Sequence, residues 1–382
     1  MKKILLVHNT YRNTGGEDIA VKNEARLLKK HFIVEELYFE NTINNPFSQF
    51  LYFFSNNNLK SKKIIQKKIQ EFQPDVIYIH NTWFKASLSV IKESIRSNKK
   101  VILKLHNFRY FCTKSFFAKD HFGNENFCNA CGLSKSSMGF YNKYFVDSVF
   151  KSIFISIYGY SYFNWLKKGN FNIAILTNFH KNFLNSLGIS NDRLFVFPNF
   201  IKSQNNDSTK NKSNVLVYAG RISEEKGVEN LIKSFNSINS HDYKLKIIGE
   251  GPLKNSLKEK YSSEKVLFYD FMNNKKVLNE IKDAKGIVTA TKLFEGQPTL
   301  LCEASSLGIP SVFPRTGGIS EFFPQSYKYS FKQFDYDDLT VKLNDLIIDL
   351  NSLNIGNQNK IFIKRHLGED KLISKFKDMI NS

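Results

Sequence analysis

The stretch Lys292–Pro314 reads KLFEGQPTLLCEASSLGIPSVFP and places Glu295 and Glu303 eight residues apart around the first turns of a short helix. Pro298 suits the first helical position and Gly308 the C-terminal cap, with Pro310 just beyond. Glu295 then falls in the loop before the helix and Glu303 inside it. Backbone N–H groups from Gln297 to Leu300 point outward from such a helix N-terminus, a setting that favours an anion, phosphate above all. Carboxylates repel phosphate, so the two glutamates fit the neutral, hydroxyl-rich groups attached to it, a ribose and a sugar. Downstream, Thr316-Gly317-Gly318-Ile319-Ser320-Glu321 extends the pattern.

Upstream in the same half, Val215–Ala219 reads as a strand that runs into Gly220-Arg221-Ile222-Ser223-Glu224-Glu225-Lys226-Gly227. Arg221 and Lys226 flank the turn into a helix expected over Val228–Ile238. Two cations at this spacing can clamp a diphosphate, Arg as a fork and Lys as a point charge. Strands expected at Leu245–Ile248, Val266–Phe268, Gly286–Ala290 and Ser311–Phe313 complete a parallel sheet, and the chain from about Asp337 reads as helical.

The N-terminal half has its own alternation. Lys2–His8 is an apolar strand, followed by a loop holding Gly15 and Gly16 and a helix from about Asp18 to Lys30. Adjacent glycines after a first strand let a backbone approach a ligand closely, but no G-x-G-x-x-G is present. Asp75–His80, Lys100–Leu105 and Ile173–Thr177 are further strands, and helices such as Ala86–Ser97 lie between them. Doubly wound sheets of this kind gather ligands at the carboxyl ends of their strands. His8, His80 and His106 all stand at such ends. Lys202–Asn214, KSQNNDSTKNKSN, has no apolar residue and reads as an interdomain linker.

These motifs resemble family 4 glycosyltransferases, which retain anomeric configuration. The resemblance rests on the E-x7-E segment with its Gly-Gln-Pro-Thr, on G-R-x4-K-G, on Leu194–Phe200, and on the N-terminal HNTYRNTGGEDIAVKNEARLL. It implies an α/β chain of the GT-B type, two Rossmann-like doubly wound parallel-sheet domains facing a cleft. Residues 1–201 form the acceptor domain, 202–214 the linker and 215–355 the nucleotide-sugar domain, with a tail at 356–382 crossing back to the first. It also implies a hexosyltransferase-type reaction from a nucleotide diphosphate sugar to a hydroxyl, with no cofactor and no catalytic metal. His106 and Glu295 are then the catalytic candidates. Donor contacts fall to Arg221, Lys226, Gly296, Gln297, Pro298, Thr299, Leu300 and Glu303, and Gly15 and Gly16 lie near the acceptor and the diphosphate. Phe200 replaces the usual glycine of the family's Pro-Asn-Gly turn.

At 382 residues and 42% hydrophobic content the chain suits two globular domains. Its net charge of +20 divides as 28 Lys+Arg against 13 Asp+Glu in residues 1–200 and 27 against 22 in the remainder, hence +15 and +5. The N-terminal half is therefore the one expected to meet an anionic partner. Nucleic acid is not expected, since no recognition motif accompanies the charge. Lys60, Lys62, Lys63, Lys67 and Lys68 follow the aromatic run Phe50–Phe54 and suit an anionic membrane surface, hence a lipid-linked glycan acceptor for surface polysaccharide or lipopolysaccharide. No apolar run reaches the roughly 18 residues of a span, and MKKILLVHNTYR has no cleavage site, so the expected location is cytoplasmic, peripheral on the inner membrane. Cys112, Cys128 and Cys131, with His121 nearby, leave two readings open: a structural zinc, or free thiols in an acceptor-side loop. Two rival functions are a sugar-nucleotide epimerase of the same fold and, on charge alone, a nucleic-acid-binding protein.

Overall fold

A computed structural model describes residues 1–11, 15–40, 57–83, 85–108, 128–130, 149–202, 213–238 and 242–382. The aromatics Phe50–Phe54, Cys112, His121, Cys131 and linker residues 203–212 lie outside the described residues. The chain divides into two compact units, residues 1–200 with 369–382, and residues 201–368.

In the first unit, six parallel strands are ordered β2-β1-β3-β4-β5-β6. They are β1 (Lys3–Thr10), β2 (Ile33–Glu40), β3 (Val76–Ile79), β4 (Lys100–Leu105), β5 (Asn172–Ile175) and β6 (Leu194–Val196). Helices α1 (Gly16–Lys29), α2 (Leu59–Phe72), α3 (Ser87–Arg96), α4 (Val149–Lys168) and α5 (Asn178–Ser186) alternate with them. β3 is buried along its whole length and β4 along all but its first residue, as expected for apolar strands covered on both faces. The strand order reverses between β1 and β3. There the carboxyl ends are tied together by Asn9 N–H to the Asn81 carbonyl, 3.0 Å, and by Asn81 Nδ2 to the Asn9 carbonyl, 2.9 Å.

The second unit repeats the architecture with the order β12-β11-β10-β7-β8-β9. Its strands are β7 (Ser213–Ala219), β8 (Lys244–Ile248), β9 (Val266–Tyr269), β10 (Ala284–Val288), β11 (Ser311–Arg315) and β12 (Ser330–Lys332). Between and after them run α6 (Val228–Asn236), α7 (Lys254–Tyr261), α8 (Asn274–Lys282), α9 (Thr299–Ser306), α10 (Tyr336–Ile348) and α11 (Ser352–Leu367). Alternate residues of β7 point to opposite faces, so Leu216 and Tyr218 join one core cluster and Val217 the other. Here the order reverses between β7 and β10.

The tail is not one crossing element. α11 buries Ile363 and Leu367 in the second unit, and the chain breaks at Gly368. The last helix, α12 (Glu369–Asn381), buries Leu372, Ile373, Phe376, Met379 and Ile380 in the first unit. Phe376 is its anchor, with ring centroids 5.3 Å from Tyr78 and 5.5 Å from Phe197. At the other boundary, Ser213 and Asn214 are the first residues of β7 rather than linker.

Candidate functional site

In the second unit the candidate residues collect at the carboxyl ends of β7 and β10, the point where strand order reverses. Lys226 closes a short 3-10 turn, Glu224–Lys226, and Gly227 follows in the left-handed region at φ +65°. A Cβ at Gly227 would lie 2.1 Å from the Ala290 carbonyl oxygen, so only glycine lets this turn lie against the loop after β10. That contact brings Lys226 Nζ within 2.6 Å of Glu295 Oε1, which also accepts from Thr291 Oγ1 at 3.0 Å. Gly317, at φ +56°, holds Glu295 from the other side. Its own added Cβ would meet the Glu295 carbonyl oxygen at 2.3 Å, and the Gly318 N–H donates to that oxygen at 2.8 Å.

The pairing alters the expected division of labour. Lys226, assigned to a diphosphate, and Glu295, assigned to sugar hydroxyls, are partners of each other. Both are about a quarter exposed, at 29% and 27% of side-chain area. An ammonium has three donors, so Lys226 can keep Glu295 and still address an anion. Glu295 Oε2 has no hydrogen-bond partner among the described residues. Arg221 is exposed, and among the described residues its guanidinium forms no ion pair; its carbonyl accepts from Tyr218 OH at 2.7 Å.

α9 begins at Thr299, and Pro298 is its N-cap rather than its first helical residue. The first intrahelical bond runs from Cys302 N–H to the Pro298 carbonyl at 3.0 Å. Pro298 has no N–H, so the helix-end donors are those of Thr299, Leu300 and Leu301, one position later than expected. At the other end Gly308 sits at φ +76°. Its N–H donates to Ser305 O and that of Ile309 to Ala304 O, a Schellman closure. Gln297 is buried and bonds the Cys302 thiol, whose pKa burial drives up. Gly296 is likewise buried.

Glu303, inside α9, is 9% exposed. Asn274 Nδ2 donates to its Oε2 at 3.0 Å, too little to offset desolvation, so burial lifts its pKa to about 7.

In the first unit three histidines meet where β1, β3 and β4 end. His8 lies two residues inside β1, while His80 and His106 directly follow β3 and β4. His8 Nε2 bonds Asp18 Oδ1 at 2.8 Å, and Asp18 Oδ2 accepts the Gly15 N–H at 2.8 Å, fixing the start of α1. Burial opposes ionisation of Asp18, but these bonds outweigh it and hold the carboxyl below its usual range. Gly15 and Gly16 have ordinary negative φ. A Cβ added at Gly16 meets nothing within 4 Å among the described residues.

His80 Nδ1 and His106 Nε2 are 3.0 Å apart. Burial lowers both well below the usual imidazole range, and for His80 its neighbours His106, Lys104 and His8 add to the effect, for His106 Lys104, His8 and His180. Beneath them lies a fully buried ion pair, Lys104 Nζ to Glu24 Oε2 at 2.5 Å, with Tyr78 OH donating to Glu24 Oε1 at 2.5 Å. Glu24, Tyr78 and Lys104 escape a reading of the sequence by motif. The one signal is a lysine inside the apolar strand KVILKL.

The five lysines of α2 are not equivalent. Lys62 pairs with Glu93 (3.3 Å), Lys67 with Glu71 (3.6 Å) and Lys68 with Glu35 (2.9 Å). Lys60 and Lys63 form no ion pair among the described residues and flank the exposed Ile64. Cys128 is buried, and among the described residues no three His, Cys, Asp or Glu side chains converge as metal ligands. No helix among the described residues is long and apolar enough to cross a membrane.

Two six-stranded parallel sheets of this order, one per unit, define the GT-B fold. The chain superposes on Anabaena HepE, solved with UDP and glucose, with a TM-score of 0.71 and 13% identity over 100% of both chains. For the lipopolysaccharide outer core galactosyltransferase WaaB the TM-score is 0.62, with 17% identity over 99% of both. Residues 200–361, which include every second-unit site residue, match the family model for glycosyl transferases group 1. The amylovoran biosynthesis glycosyltransferase AmsD of Erwinia amylovora is 24% identical over 225 residues, 55% of this chain and 62% of AmsD. The chain thus spans less than two thirds of that relative's length.

Proposed function

We propose that this protein is a retaining, family 4 glycosyltransferase of hexosyltransferase type. It moves a sugar from a nucleotide diphosphate sugar to a hydroxyl of a lipid-linked glycan, in the assembly of surface polysaccharide or lipopolysaccharide. One observation carries the reading: the Lys226–Glu295 pair precedes α9 and the buried Glu303 lies inside it, at the strand-order reversal of a unit that matches the group 1 model. Charge developing on the departing diphosphate is met by Arg221, Lys226 and the Thr299, Leu300 and Leu301 N–H groups, of which the backbone donors are fixed and need no reorganisation. Glu295 Oε2 binds donor-sugar hydroxyls, and Glu303 binds the ribose. From the first unit, His106 acts on the reacting sugar, and Gly15 and Gly16, at the start of α1, lie near the acceptor and the diphosphate.

No catalytic metal and no cofactor are required on this reading, since protein cations hold the diphosphate. HepE with UDP, and the named roles of AmsD and WaaB, support the donor class and the kind of pathway. The excess charge of the first unit, with Lys60 and Lys63 beside Ile64, supports a peripheral position on the cytoplasmic face of the inner membrane.

The test is a thermal-shift panel of nucleotide sugars, then transfer of labelled sugar to a lipid-linked acceptor with and without chelator. The expected result is one stabilising nucleotide sugar and chelator-resistant transfer. Isomerisation of the donor without acceptor would point to an epimerase instead.

A further inference from the structure

His80 and His106 end adjacent parallel strands paired in register, Ile79 opposite Leu103. Their rings are inclined by 23° with centroids 5.3 Å apart, and the 3.0 Å contact joins Nδ1 of His80 to Nε2 of His106. A bond between two neutral imidazoles carries a single proton, so one nitrogen donates and the other accepts. What selects the donor is the far side of His80. Its Nε2 is buried with no hydrogen-bond partner among the described residues, 3.9 Å from Glu24 Oε1.

Glu24 is held there by Lys104 and Tyr78 and is fully buried. A lone pair on His80 Nε2 would face a carboxylate oxygen, whereas an N–H directs its positive end at that oxygen. At this separation and in this low-dielectric setting the second arrangement is favoured. With its proton on Nε2, His80 offers only a lone pair at Nδ1, so His106 must donate from Nε2. The proton on His106 is thereby fixed, and its Nδ1 is left as an acceptor.

We propose that His80, oriented by Glu24, is a positioning residue that fixes His106 in the Nε2–H tautomer, so that His106 meets a substrate hydroxyl as an acceptor through Nδ1. The inference rests on the reading in which His106 acts on the reacting sugar. It adds the atom that His106 uses and the residues that select it.

Nitrogen-15 NMR of histidine-labelled wild-type protein tests the tautomer without any variant. The expected spectrum has His80 and His106 both protonated at Nε2; a proton on Nδ1 of His106 overturns the proposal. Kinetics test the consequence. His80→Phe should lower kcat about tenfold, less than the roughly 10²–10⁴-fold that a positioned acid–base group contributes as a whole, and leave donor KM within about twofold. His80→Asn, whose amide oxygen can stand near the lost Nδ1, should recover much of the rate. In a double-mutant cycle the loss from His80→Phe should vanish in a His106→Ala background. Additive losses overturn the positioning role alone, whereas undiminished kcat in His106→Ala removes the reading on which it rests.

Discussion

The two units hold their ion pairs in opposite ways. In the first, Lys104 and Glu24 have no exposed area, and each Glu24 oxygen already has a partner. In the second, Lys226 and Glu295 are partly open, and among the described residues Glu303 has one neutral hydrogen-bond partner. Both Glu24 oxygens are partnered without a ligand, whereas among the described residues Glu295 Oε2 is not. Buried groups whose partners are all supplied by the fold set the orientation of neighbouring side chains, and on the proposed function the partly unpartnered ones receive substrate.

Breaking the first network should have the largest effect. Lys104→Met leaves Glu24 buried and uncompensated and should cost about 3–5 kcal/mol of stability, read by urea unfolding. A cost below about 1 kcal/mol, the level of a surface pair, would erase the contrast between the units.

Glu303 sharpens the contrast through pH. Its folded pKa, about 7, is raised above the ordinary 4.5, so the folded state binds the extra proton. The associated stability is present below pH 4.5 and is lost as pH rises through about 7. Glu303→Gln should therefore stabilise the ligand-free protein at pH 8.5 by up to about 3 kcal/mol and leave it nearly unchanged at pH 4.5. Paired unfolding curves at the two pH values check this, and equal shifts at both would contradict it.

Lys226→Ala and Glu295→Ala should each change stability by under about 1 kcal/mol, because the pair is partly exposed, while lowering transfer turnover. The two activity losses should be less than additive, since the side chains share one contact. Steady-state kinetics of the single and double variants give the comparison.

The smallest effect concerns membrane attachment. Each lysine near an anionic surface contributes about 1 kcal/mol, but Lys62, Lys67 and Lys68 already have carboxylate partners. Lys60→Gln with Lys63→Gln should weaken salt-sensitive binding to phosphatidylglycerol vesicles more than the change of all three paired lysines to glutamine. The reverse order would show that the ion pairs do not hold in solution.

Much of this was legible in the sequence because glycine and proline spacing constrains backbone directly. The turn at Gly227 and the closure at Gly308 both follow from residue type. Strand β2 was not legible: IVEELYFE is an edge strand with only Phe39 buried, so it lacks the apolar run of β3 or β4. The break at Gly368 was hidden because apolar spacing continues on both sides of it. The Lys226–Glu295 contact joins residues 69 apart and needs the fold to be seen. The buried Glu24–Lys104 pair, 80 apart, lies in segments that read as an amphipathic helix and an apolar strand.

On the proposed function, the second unit binds the nucleotide through groups left incomplete by the fold. Calorimetric titration of nucleoside diphosphates into wild type, Glu303→Gln and His106→Ala tests it most directly. Expected are binding of at least one nucleoside diphosphate to wild type, a weakening of about tenfold or more in Glu303→Gln from the lost hydrogen bonds to a charged group, and unchanged affinity in His106→Ala. Equal affinity in wild type and Glu303→Gln would contradict it.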